Sequence, residues 1–356
     1  MIETLALGPS DRVLVLAPHP DDESAATGGL LQHALAAGAA ALVLFFTDGD
    51  NNPWAQRATE LRWRIGSADR ARFALRRRAE VRAALAQLGV PESAVRFLGY
   101  PDQSTTDLLL HGNELALGKL AGEIAAWRPT ILVGPSLLDL HPDHSALGVL
   151  LHLALDTLGE EAPVRHHVRF LVHNPRLRAR HEGATVLPLT PEQQERKRAA
   201  LLSHRTQLVL RGSWLPAFAE AEERFYLAES PTGLMEHPVR DVRHDGCSLS
   251  IGVSSGFHLR SLGARTLCLL VKAPAQPVCA LAVPLPARAG AAQVFEIHTE
   301  RAVGEARFTG RDGRGDLTLP RQLLPESSRL FAKIERRYGF FDEAGWREFA
   351  LEPESP

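Results

Sequence analysis

Residues 13–18, "VLVLAP", are an unbroken apolar run that stops abruptly at "HPDDE". A strand with no polar alternation needs cover on both faces, which is the situation inside a parallel sheet. The signal returns at 40–46 ("AALVLFF") and 130–136 ("TILVGPS"), and "VRFLVH" at 168–173 offers a further strand. Between the first two lies "DESAATGGLLQHALAAGA", with helix formers at helical spacing, acidic residues in its first turn and Gly38 near its end. Helical patterns recur around 70–88 and 113–127 and after His144, and a strand is expected near "AVRFLGY". "TPEQQERKRAALLSH" starts a helix with Thr190 as N-cap and Pro191 in its first position. This alternation predicts an α/β fold, an open, mostly parallel, Rossmann-like sheet with helices on both faces.

The pattern changes after about residue 230. From 247 to 340 the chain reads as short β-rich runs ("SLSIGVSSG", "TLCLLVKA", "QVFEIHT", "RLFAKIERR") separated by turns such as "GRDGRGD". Short strands at that spacing predict a C-terminal all-β, sandwich-like domain. The 356 residues exceed one typical domain of ~100–200, so two domains are expected, 1–232 and 240–356, with "SPTGLMEHPVRD" as the linker.

Charge excludes some partners. Lys plus Arg number 40 against 42 Asp plus Glu, so no general attraction to nucleic acid or membranes exists and a charged partner must be recognised locally. Cys247, Cys268 and Cys279 are odd in number and lack metal-ligand spacing, which fits buried small side chains in a reducing compartment. The N-terminus has no basic start followed by an apolar run, and no stretch approaches the ~20 apolar residues of a transmembrane helix, so the expected location is cytoplasmic. Oligomeric state is open.

In open α/β sheets ligands bind beyond the carboxyl ends of the strands. His19, Pro20, Asp21 and Asp22 sit at such an end. Helix capping would account for the two Asp but leaves the His without a reason. A tight Pro-containing turn can bring His19 and Asp22 to one side as an N,O pair suited to a divalent transition metal, with Asp21 nearby. "DLHPDHSALG" at 139–148 also follows an apolar strand and opens a helix, which puts His141, Asp143 and His144 on the same sheet edge. Alone it would pass for a cap with two solvated histidines. Together the strings supply two His and one carboxylate for a metal, with one His and two Asp left over, from which a base and an acid can come: the inventory of a hydrolytic zinc site.

"PHPDDE" at 18–23 with "HPDH" at 141–144 resembles the zinc-dependent de-N-acetylases of the LmbE-like, or PIG-L, family. That family includes N-acetylglucosaminyl-phosphatidylinositol deacetylase and deacetylases of low-molecular-weight thiol biosynthesis. "TDG" at 47–49, "RRAE" leading to "LGV" (77–90), "LGYPD" at 98–102 and "KRAALLSHRTQ" at 197–207 extend the likeness over roughly residues 10–230. The resemblance implies that His19, Asp22 and His144 bind one zinc ion per chain and that Asp21 is the general base. It further implies that His141, oriented by Asp143, stabilises the oxyanion or protonates the leaving amine. Pro18 stands where the family often has Ala. The implied activity is removal of acetyl from an N-acetylglucosamine-type sugar or glycoconjugate.

Further substrate-binding candidates are weaker. Asp48 and Asp102 lie at strand ends, though a turn Asp beside Gly49 is commonplace. Residues 51–66 read as a loop in which Trp54 and Trp63 either stack on sugar or cover apolar surface. Nine arginines between 57 and 82, Arg77 among them, either steer an anionic substrate or form a solvated helix face. His204 and Gln207 match the family pattern. Rival functions are an amidase on a thiol conjugate or non-sugar amide, a catalytically inactive sugar-binding protein, and an Fe(II) oxygenase using the same two-His-one-carboxylate set. Intact Asp21 and His141 argue against the inactive protein, and ligands on strand-to-helix turns argue against the oxygenase.

Overall fold

The computed structural model describes residues 6–179, 183–210, 212–227, 237–254, 265–273, 276–326, 329–336 and 339–351. The expected linker falls largely outside them. Two compact units are formed, one of residues 1–105, 122–136 and 158–230, the other of 106–121, 137–157 and 231–356.

The first unit holds a seven-stranded sheet of β1 (Arg12–Ala17), β2 (Ala40–Thr47), β3 (Val95–Tyr100), β4 (Ile131–Pro135), β5 (His166–Phe170), β6 (Ala184–Pro188) and β7 (Glu222–Tyr226). The order is β3-β2-β1-β4-β5-β7-β6. The first five are parallel, as the sequence predicts, and β7 and β6 extend the edge antiparallel. Among the described residues the α-helices are α1 (Asp22–Ala36), α2 (Pro53–Glu60), α3 (Ser67–Gln87), α4 (Thr105–Leu110), α5 (Glu114–Trp127), α6 (Pro142–Leu158), α7 (Pro175–Arg178), α8 (Pro191–Ser203) and α9 (Arg205–Leu208).

Val13, Val15 and Ala17 on one face of β1 pack with Leu30 and Leu31 of α1, Val81 and Leu85 of α3, and Leu201 of α8. Leu14 and Leu16 on the opposite face are equally buried. Cover on both faces is why the strand carries no polar alternation. Thr190 caps α8 as expected, and the structure adds Gln193, whose side chain closes a capping box with it. Residues 51–66, expected as a loop, contain α2, because Asn52 caps it by accepting the Ala55 N–H at 3.2 Å and Pro53 fits its first turn.

In this strand order the chain runs outward from β1 through β2 to β3 on one side, and from β4 to β5 on the other. The neighbours β1 and β4 therefore flank the topological switch point, beyond whose carboxyl ends open α/β sheets bind their ligands. Both sequence motifs leave the sheet from these two strands.

The second unit holds β8 (Val239–His244), β9 (Ser248–Ser254), β10 (Arg265–Lys272), β11 (Val278–Pro284), β12 (Arg288–Glu296), β13 (Arg301–Arg311), β14 (Arg314–Pro320), β15 (Arg329–Arg336) and β16 (Arg347–Ala350). The expected sandwich of separate sheets is instead one continuous antiparallel sheet, ordered β16-β15-β10-β11-β12-β13-β14-β9-β8. Its end strands meet where the Arg347 guanidinium donates to the carbonyls of Val239 (3.0 Å) and Arg240 (2.6 Å). The sheet thus curls around its own core, which includes Ile251, Leu269, Val294, Phe308 and Leu330, and leaves less open edge than two flat layers would.

Segments 106–121 and 137–157, expected with the N-terminal domain, pack with these strands. α6 is buried on every face from Asp143 to Ala154, unlike a helix with one apolar stripe. Within its unit it meets β15 through Asp156, 3.3 Å from Arg329, and through the His152 ring, 6.0 Å from Phe331. Cys268 is buried as expected, whereas Cys247 is exposed at a turn. Among the described residues no helix is long and apolar enough to cross a membrane.

Candidate active site

At the end of β1 the chain is tied to β2 by Thr47, whose Oγ1 and N–H donate to the Pro18 carbonyl at 2.9 and 3.0 Å. The turn then folds back so that Asp22 Oδ2 accepts the His19 N–H at 2.9 Å and lies 3.2 Å from His19 Nδ1. His19 Nε2 is 3.1 Å from Asp102 Oδ1, so the loop after β3 delivers a second carboxylate to the same imidazole. All three side chains are buried. Burial works to raise the Asp102 carboxyl, but His19 and then Arg77 outweigh it and hold it below its ordinary value. Asp50 fixes that loop by accepting the Asp102 N–H at 2.8 Å.

Asp21 occupies the N-cap position of α1, yet its side chain makes no capping bond. It lies 3.2 Å from an Arg77 guanidinium nitrogen. Burial pushes its carboxyl up to about 6, against the pull of Arg77. Arg77 is itself buried and donates to the carbonyls of Gly49 (2.9 Å) and Pro20 (2.6 Å). Its described contacts are thus with the loops and Asp21. Gly49 has φ +60 and a Cβ there would stand 1.8 Å from the guanidinium, so only glycine fits.

His204, at the α8–α9 junction, lies beneath the first turn of α1, with Nε2 3.2 Å from both Ser24 Oγ and Glu23 Oε1. Burial works to lower this imidazole, but the Glu23 carboxylate outweighs it and the net shift is upward. Gln207 accepts from the Asn52 amide at 3.1 Å, linking α9 to the cap of α2. Asp48 is engaged by Arg78 in a bidentate pair at 2.8 and 2.6 Å. Trp54 and Trp63 are exposed and flank the Arg57 guanidinium at 5.0 and 5.4 Å.

In the second unit, the segment after β4 carries Asp139, His141, Asp143 and His144, all buried. Asp139 Oδ1 accepts the His141 N–H at 3.0 Å, and its Oδ2 lies 3.4 Å from His144 Nδ1. His141 Nδ1 accepts the Asp143 N–H at 3.3 Å, which puts the hydrogen of the neutral imidazole on Nε2. Asp143 therefore orients His141 through its backbone. The His141 and His144 rings are tilted at 37° with centroids 4.8 Å apart.

The sequence reading passed over Asp139, Asp50, Glu23 and the inward role of Arg77. Asp139 heads the "DLHPDH" string, so its spacing to His141 was in view. The others depend on partners far along the chain.

The donor chemistry fits a divalent metal. Ligand atoms on a tetrahedral zinc ion, at bonds of about 2.0–2.1 Å, stand roughly 3.3 Å apart. His19 Nδ1 and Asp22 Oδ2, 3.2 Å apart, match that bite. Asp139 beside His144 Nδ1 is the carboxylate–histidine arrangement that orients metal-binding imidazoles.

The family model described as GlcNAc-PI de-N-acetylase (PIG-L) matches residues 14–155. The chain is 32% identical over 150 residues to 1D-myo-inositol 2-acetamido-2-deoxy-alpha-D-glucopyranoside deacetylase of Mycobacterium avium (strain 104), a match covering 37% of this chain and 47% of that protein. The chain thus spans about half the length of that curated relative. Among solved structures, N,N'-diacetylchitobiose deacetylase from Pyrococcus horikoshii is similar at 18% identity and TM-score 0.48, over 61% of this chain and 84% of that one. A conserved protein of Thermus thermophilus is similar at 24% identity and TM-score 0.45, over 62% of this chain and 94% of that one.

Proposed function

We propose, for a chain whose residues 14–155 belong to the GlcNAc-PI de-N-acetylase (PIG-L) family, a zinc-dependent hydrolase that removes the N-acetyl group from an N-acetylglucosamine-type sugar or its conjugate. The observation that carries the reading is the buried His19–Asp22 pair at metal-ligand spacing with Asp21 beside it, held by Arg77. His19, Asp22 and His144 would hold the ion. When bound, zinc lowers the pKa of its water to about 7 and polarises the amide carbonyl.

Asp21 takes the proton of the attacking water as the new C–O bond forms. A carboxyl raised to about 6 by burial is a stronger base than a solvated one, yet still ionised near neutrality. The tetrahedral intermediate then needs a proton on nitrogen, because an amide anion is a poor leaving group. His141 donates it from Nε2 as the imidazolium, returning to the neutral ring as the C–N bond breaks, and the products are acetate and the free amine. The Asp143 N–H on Nδ1 orients the neutral ring with Nε2 free for the exchange, and the imidazolium gives up this 3.3 Å bond because its Nδ1 then carries a hydrogen.

The test is acetate release from N-acetylglucosamine and its inositol, phosphatidylinositol, malate, nucleotide and oligosaccharide conjugates, with zinc content measured on the same sample. Release abolished by chelation and restored by zinc is the expected result. Zinc-loaded protein that deacetylates none of them would overturn the sugar assignment and leave an amidase on thiol conjugates or non-sugar amides as the next reading.

A further inference from the structure

Residues 339–346, ahead of β16, pack directly on the segment that carries His141. The Asp342 N–H donates to the Leu140 carbonyl at 2.8 Å, and the Trp346 N–H to that of Leu137 at 2.8 Å. Trp346 is fully buried, and Gly345, at φ +59, comes so close that a Cβ would stand 2.2 Å from the Leu137 oxygen. The Asp342 carboxylate is held by the buried Lys333 ammonium at 2.9 Å and meets Ser145 Oγ at 3.4 Å. Two Phe residues precede these anchors. Phe340 sets its ring edge-on to the His141 imidazole, centroids 4.9 Å apart at 82°, and Phe341 does the same at 5.9 Å and 78°. The two rings stand at 84° to one another, 5.1 Å apart, and form a corner.

Both remain open, Phe340 at 47% and Phe341 at 37% exposure. Apolar rings pinned in place while still meeting solvent form a surface ready to lose its water to a ligand. The imidazole they touch fixes which ligand. A group in contact with the ring that protonates the leaving nitrogen lies on the amine side of the scissile bond, not the acetyl side.

We propose that Phe340 and Phe341 form an apolar subsite, contributed by the C-terminal β unit, for a hydrocarbon or aryl portion of the substrate attached on the amine side of the acetamide. The proposal rests on the role given above to His141. It makes the β unit a specificity element of the hydrolase.

The test compares N-acetylglucosamine with its octyl glycoside in the zinc-loaded full chain, for wild type, F340A and F340A/F341A. Wild type is expected to favour the octyl compound in kcat/KM by about tenfold or more, and the double variant to lose most of that preference. In parallel, calorimetry measures binding of octyl glucosaminide, the unreactive amine, to each protein. That arm needs no turnover, so a wild type that releases no acetate would sink the proposed reaction while the subsite is still judged by binding. A double variant with unchanged preference, or with unchanged affinity for the octyl amine, would overturn the subsite. Should it unfold, F340A alone, altering the more exposed ring, decides by the same two readouts.

Discussion

The Arg77 guanidinium lies 3.2 Å from the Asp21 carboxylate while donating to the carbonyls of Pro20 and Gly49, so one buried side chain of α3 fixes the loops after β1 and β2 together. Arg77 is a positioning residue for the proposed base. Arg77→Met should leave Asp21 buried without its counter-charge, cost about 3 kcal/mol of stability and lower kcat far more than it raises KM. Arg77→Lys should recover little, because a point-charge ammonium cannot span two carbonyls and a carboxylate as the planar fork does. Chemical unfolding and steady-state kinetics on both variants check this. Wild-type-like kcat in Arg77→Lys would mean that charge alone suffices.

The division of labour between base, acid and ligands is separable by measuring metal and turnover on the same variants. Asp21→Asn should keep zinc and lose hydrolysis by roughly 10²–10⁴-fold. His141→Ala should keep zinc and slow the chemical step, whereas His19→Ala should lose the metal itself. An Asp21→Asn protein with wild-type turnover would remove the base from the mechanism.

Asp139 offers a test of the supporting shell. It touches both the His141 backbone and the His144 imidazole and has no exposure to solvent. Replacing it with Asn preserves shape but removes the charge that steadies His144. Zinc affinity should fall by about 10–100-fold, measured by competition with a chromogenic chelator. An unchanged affinity would restrict Asp139 to holding the loop.

What could be read in advance divides by sequence separation. The parallel core was legible because β1 and β4 carry their burial on successive residues, and the ligand strings because His19 and Asp22 meet three residues apart. β7, "EERFY", was missed because its charged start hides a strand paired on both sides, and α2 because its short, polar sequence begins with a Pro that reads as loop. Arg77 reaches Pro20 across 57 residues and His204 reaches Ser24 across 180, contacts that no local pattern encodes. The arginine-rich stretch accordingly suggested an outward role, steering an anion or forming a solvated helix face, for a side chain that turns inward. The nine-stranded sheet was legible as strands but not as one sheet, because pairing order depends on which edges need covering.

His237 should give the second unit a characteristic loss of stability in mild acid. Its imidazole is 4% exposed, with Nδ1 accepting the Val239 N–H at 3.1 Å, and burial pushes its pKa down to about 4. Above the unfolded value of about 6.5 the ring is neutral in both states and costs nothing. As pH falls below 6.5 the unfolded chain takes up a proton that the folded protein refuses, so stability drops until about pH 4. The gap corresponds to roughly 3 kcal/mol in full, and to about 2 kcal/mol at pH 5. His237→Gln removes the titration while keeping a polar side chain of similar size. Urea unfolding followed by tryptophan fluorescence should show wild type losing about 2 kcal/mol more than the variant between pH 7.5 and 5. The buried Trp346, next to Gly345 whose backbone also bonds His237, lies within the region that reports it. Equal losses in the two proteins would mean that His237 takes up its proton without unfolding this region, by opening locally to water.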